Sequence, residues 1–161
     1  MHTVFMSAAT YFSLLVAITL ISSGCMTADL GRMLPRRTLA KGSVSGITTS
    51  IWEVVKNQAE WEKLWKAHSP VVEPESAAPR VDFNREMVVV ATMGRRSTAG
   101  YEIEITRIKE RDSRLVVFVK STLPPADAIL AQQLTSPFHM IAVSKTELPL
   151  EFVEIEQIAK E

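Results

Sequence analysis

Two arginines, two hydroxyls and an aromatic ring crowd into Gly94-Arg95-Arg96-Ser97-Thr98-Ala99-Gly100-Tyr101, between two apolar runs. Guanidinium groups make forked, charge-assisted hydrogen bonds and stack on rings, and Arg and Tyr are favoured anchors of protein interfaces. Glycine near either end suits a turn. The segment reads either as a recognition loop or as a solvated hairpin tip, and Pro137 and Phe138 could join it from a later loop. Catalytic chemistry is harder to assemble. Ser136 precedes His139 closely, yet a serine nucleophile also needs an oriented acid and an oxyanion hole. No G-x-S-x-G, P-loop or G-x-G-x-x-G occurs. Beyond His2, the histidines are His68 and His139, and neither has a Cys or His beside it at metal-ligand spacing. The expectation is a chain that is not an enzyme and holds no cofactor and no metal. His68 is expected near a helix C-terminus, where the dipole favours a cation.

The one cysteine, Cys25, offers different chemistry. A lone Cys is usually a small buried hydrophobe, but its position argues otherwise. The first 24 residues carry no Asp, Glu, Lys or Arg. Val4 to Ile21 is mostly apolar and would reach about 27 Å as a helix, on the border between a signal peptide and a short membrane span. It ends in Ile21-Ser22-Ser23-Gly24-Cys25, which resembles the bacterial lipobox. That resemblance implies cleavage after Gly24, a diacylglycerol on the Cys25 thiol and an acylated new amino terminus. Two or more acyl chains anchor stably. Ser22 departs from the Leu preferred there. The segment before the apolar run also lacks the usual positive charge, so a cleaved secreted chain and an uncleaved anchor remain open. Met26 rather than Asp after the Cys suggests the outer membrane if the cell is Gram-negative. The expected location is thus the cell membrane or outer membrane, with the domain facing the periplasm or cell surface.

Removing 24 residues from 161 leaves 137, the size of one ordinary domain. Lys plus Arg and Asp plus Glu both total 18, a balance that gives no long-range pull toward nucleic acid. Residues 25–46, with Gly31, Pro35, Gly42 and Gly46, read as a flexible tether, and residues 47–161 as the domain. Ile47 to Val55 is rich in β-formers. Asn57 and Glu60 have capping-box spacing at a helix start, and Trp61, Leu64, Trp65 and His68 share one face of that helix. Pro70 stops the helix, and Pro74 and Pro79 mark an ordered or semi-rigid loop to residue 81. Met87 to Met93 is continuously apolar, as a strand buried on both faces would be. Tyr101, Ile103 and Ile105 alternate with polar residues. Leu115 to Lys120, Phe138 to Ser144 and Leu150 to Ile155 complete the strands. The fold class is α+β, mainly β: an antiparallel sheet or sandwich of five or six strands with one packed helix. In a meander, Gly94–Gly100 and Ser121–Ser136 would share one rim, and the turns at Glu110–Ser113 and Lys145–Pro149 would close hairpins at the other. The long-loop rim, with Arg95, Arg96, Thr98, Gly100, Tyr101, Pro137 and Phe138, is the candidate partner-binding site.

Val81-Asp82-Phe83 is followed by Arg85-Glu86-Met87-Val88-Val89-Val90, Gly94, Thr98-Ala99-Gly100-Tyr101 with Ile103 and Ile105, and Ser136-Pro137-Phe138-His139. In this order and spacing, Val81 to Phe152 resembles the C-terminal domain family of PrcB, a subunit of a spirochaete surface protease complex. The family more often has Gly where Ala99 stands, and a positive φ there would strain Ala99. The resemblance implies a lipoprotein accessory domain that binds or stabilises an envelope protease, without catalytic residues. Thr98-Ala99-Gly100-Tyr101 is also faintly similar to the Thr-Gly-Tyr loop of chagasin-like cysteine-protease inhibitors. A structural envelope protein with no protease partner is the third possibility.

Overall fold

The computed structural model describes residues 31–69 and 77–159. Cys25, the leader, the first part of the expected tether, Pro70 and Pro74 lie outside the described residues. Eight strands and one helix follow in the order β1 (Arg32–Met33), β2 (Arg36–Gly42), β3 (Trp52–Val55), α1 (Gln58–His68), β4 (Glu86–Thr92), β5 (Glu102–Arg111), β6 (Arg114–Leu123), β7 (Phe138–Ser144) and β8 (Leu150–Ile158). They form two four-stranded sheets, β1-β5-β6-β8 and β2-β7-β4-β3. The mainly β sandwich with one helix is as the sequence reads.

The layering follows from where the apolar residues point. Met87, Val89 and Ala91 of β4 and Ile141 and Val143 of β7 face the other sheet, where they meet Ile103, Ile105, Ile108, Leu115, Val117 and Val119. Val88, Val90, Phe138 and Met140 face the opposite way, onto Trp61 and Leu64 of α1. β4 and β7 are therefore covered on both faces, which is why their sequences lack alternation. The helix starts as its sequence specifies: the Asn57 side chain accepts from the Glu60 amide at 2.9 Å. It ends at His68, with Ser69 as its C-cap.

Two expectations fail. Arg36–Gly42, read as tether, is a strand paired antiparallel to β7, with an irregularity between Thr38 and Ala40. An edge strand tolerates the charges and the missing β-branched run that disguised it. With β1, it raises the count beyond six. The meander fails as well. β4 and β7 need cover on both sides, so they pair with each other in the middle of one sheet. Lys145–Pro149 consequently crosses between sheets instead of closing a hairpin. β8 then joins β6 in parallel, beginning beside Leu115, whose amide donates to the Pro149 carbonyl at 2.9 Å. The Glu110–Ser113 turn does close a hairpin, between β5 and β6.

Candidate functional site

The two long loops meet although the meander is absent. Arg96 and Thr135 exchange backbone hydrogen bonds of 2.8 and 3.0 Å, and the Ala99 amide donates to the Ala131 carbonyl at 3.1 Å. The Thr135 hydroxyl donates to the Thr98 carbonyl at 3.0 Å. From below, the Arg95 amide reaches the Thr48 carbonyl at 2.9 Å. Gly94 makes that approach feasible. It has φ +71, and a Cβ there would stand 2.8 Å from the Ser50 backbone nitrogen. The rim is thus a cross-pinned surface, not a free hairpin tip.

The expected site residues divide within it. Arg95, Ser97 and Gly100 are exposed, while Arg96, Thr98 and Tyr101 are half-buried. The Arg96 guanidinium lies over the Tyr101 ring, 5.5 Å from its centroid, an arrangement that favours the cation. Tyr101 also packs against the inter-sheet core. Pro137 and Phe138 are buried and do not belong to the exposed surface. Phe138 opens β7 and turns toward α1, with its ring centroid 4.3 Å from that of His68. Ala99 carries no strain, because the non-glycine residues with positive φ among those described are Asp112 and Ser113. The sequence does not flag Ile129 and Leu134, large apolar side chains left exposed on the second rim loop. Ile158 is exposed beside Leu123, where β6 enters that loop. A scattered Ile or Leu looks like core in a sequence; only the loop path shows otherwise.

Both described histidines make structural contacts. His139 makes contact with the Thr38 hydroxyl through Nε2 at 3.1 Å, and its Nδ1 accepts from the Ile105 amide at 2.9 Å. Both nitrogens are engaged away from Ser136. Burial, aided by the charge of Lys41, pushes the His139 pKa down to about 4. His68 contacts the Ser45 hydroxyl through Nδ1 at 2.9 Å, and burial lowers its pKa too. Desolvation therefore outweighs the helix dipole expected to favour its cation. Among the described residues no three His, Cys, Asp or Glu are grouped to hold a metal.

A small cavity of about 30 Å³ opens under the rim, lined by Ser50, Trp52, Met93, Arg96, Ser121 and Glu154 among others. Trp52 Nε1 and Arg96 Nε are buried with no hydrogen-bond partner. A buried donor left unmet costs about 1–3 kcal/mol. Glu154 accepts the Ser121 hydroxyl at 2.5 Å. Only the crossover that lays β8 beside β6 puts this carboxylate near Trp52, so no sequence spacing announces the group. A larger groove of about 520 Å³ runs between α1 and β3, lined by apolar Ile47, Ile51, Val55 and Leu64 with charged Glu53, Glu60 and Lys63, and includes no rim residue.

The geometry defines a two-sheet sandwich backed by a helix, carrying a rim of two interlocked loops. Residues 87–144 match the family model described as PrcB C-terminal. That stretch runs from β4 through β7 and includes both rim loops, so the resemblance seen in the sequence holds where the rim is built. No curated protein and no solved structure matches the chain.

Proposed function

We propose that the chain is a non-enzymatic envelope lipoprotein, anchored through lipid on Cys25, whose loop rim binds a partner protein, and that the partner is an envelope protease. The observation that carries the binding role is the rim itself: exposed Arg95, Ile129 and Leu134 on two loops held together by main-chain bonds. Apolar side chains and an arginine on a rigid scaffold are what an interface needs. The protease is suggested by the PrcB likeness alone.

The test is crosslinked capture from the native envelope, using the full-length protein beside an Arg95→Glu/Leu134→Glu variant. A protease enriched by the wild type and lost in the variant supports the reading. Equal capture by both removes the rim as the site. Slowing of papain-type proteases by the purified protein would replace the accessory role with inhibition. Cys25→Ser should shift the protein from the membrane to the soluble fraction; if it still sediments with membranes, the lipid reading fails.

A further inference from the structure

The cavity under the rim holds an unbalanced set of polar groups. Trp52 and Arg96 both line it, and their buried Nε1 and Nε atoms have no acceptor. Folded proteins rarely leave buried donors unmet. Glu154 lines the same space and retains acceptor capacity beyond the Ser121 hydroxyl it already takes. The site thus presents two donors and one carboxylate.

We propose that this cavity is a subsite for a carboxamide, the tip of an Asn or Gln side chain of a polypeptide docked on the rim. The carboxamide oxygen accepts from Trp52 and Arg96, and its NH2 donates to Glu154. A carboxylate in the same place would face Glu154, and an ammonium would face the Arg96 guanidinium. Only a neutral group with an acceptor on one side and donors on the other satisfies all three. The cavity of about 30 Å³ exceeds the roughly 10–15 Å³ that one water needs, so it admits a small polar group of a few heavy atoms. The inference deepens the rim reading, because Arg96 belongs to both.

The test uses full-length protein in detergent micelles, with isotope-labelled tryptophan, and follows the three indole N–H resonances by NMR. Trp52→Phe assigns its signal by loss. Trp61, whose Nε1 donates to the Pro79 carbonyl at 3.0 Å, is the internal reference. Acetamide, titrated to about 0.5 M as a weak fragment, should move the Trp52 signal saturably and leave Trp61 in place. Sodium acetate and methylammonium chloride should not. Arg96→Lys, which removes the Nε donor and keeps the charge, should weaken the acetamide response by about threefold or more. No saturable Trp52 shift would mean that the cavity holds water only, and would overturn the proposal. An equal response to acetate, or parallel shifts of Trp52 and Trp61, would overturn it too. Envelope capture does not depend on this titration: capture without an acetamide response sinks the subsite alone, and an acetamide response without capture sinks the rim partner.

Discussion

His139 Nδ1 accepts the backbone amide of Ile105 at 2.9 Å, joining the two sheets through one imidazole. β1 covers β5 only at Lys109 and Glu110, which leaves the Ile105 amide without a strand partner on that side. The imidazole closes this gap. Arg36 at the Thr106 carbonyl and Lys41 at Glu104 bridge the same edge. As acceptor, Nδ1 carries no proton, so Nε2–H donates to Thr38. The folded pKa of about 4 lies below the unfolded value of 6.5. Between these values the unfolded chain binds the extra proton. Stability from this group is therefore complete above pH 6.5 and is lost as the pH falls toward 4, by about 3 kcal/mol at most. Urea denaturation across that range should show the decline. His139→Asn, which can keep an acceptor near Ile105, should flatten it. A slope unchanged in the variant would assign the acid sensitivity elsewhere, with His68 the next candidate because its shift has the same sign.

Gly94 sets how closely the rim sits on the approach to β3. Gly94→Ala would place a methyl against the Ser50 backbone at a positive φ. We expect a loss of about 1–3 kcal/mol in chemical denaturation. A loss as small as that of an exposed substitution would mean that the rim moves freely over β3.

The β5–β6 hairpin turns through Asp112 and Ser113 at φ 50 and 57. Two consecutive positive φ values are the type I′ signature, which favours Asn-Gly. Asp112→Asn with Ser113→Gly should raise the melting temperature, with a gain of about 0.5–1 kcal/mol. The cost is one exposed ion pair between Arg111 and Asp112, which is worth little. A lowered melting temperature would contradict this account of the turn.

Arg95 and Tyr101, near opposite ends of the first rim loop, should separate binding from folding. Tyr101 packs on the core beneath Arg96, so Tyr101→Ala should cost about 1–3 kcal/mol in stability. Arg95 is exposed, and Arg95→Ala should stay within about 0.5 kcal/mol of wild type. Capture of the partner by stable Arg95→Ala is the cleaner measure of rim binding. A stable Tyr101→Ala protein would place that ring at the surface instead.

How much of this was legible depended on whether local pattern and burial agreed. The helix was readable because Asn57, Trp61 and Leu64 signal a cap and an apolar face within a few residues. β4 was readable as a buried strand from Met87-Val88-Val89-Val90, and β7 as a strand over Phe138–Ser144, without its burial. β2 was not, because Arg36-Arg37-Thr38 carries the polarity of a linker and its pairing is supplied by β7, a hundred residues away. Phe138 reads as the first residue of a strand and, beside Pro137, as part of the exposed rim, yet at the head of β7 it turns onto α1 and is buried. The two rim loops were expected together for the wrong reason: central pairing of β4 with β7 brings them side by side, not a meander. Trp52 and Glu154 share a cavity only through the β8 crossover, which leaves no trace in local spacing.

The pairing of Arg32 with Glu110 has one more consequence. The described chain enters the fold at the hairpin end of β5, and the rim begins at the other end of that strand. Eight steps from Glu102 to Glu110, at about 3.3 Å each, put some 25–30 Å between these poles. A molecule held by its N-terminal side would raise its rim outward by that standoff, clear of the surface that holds it. Anything that engaged the rim of a chain held in that way would meet it at that height.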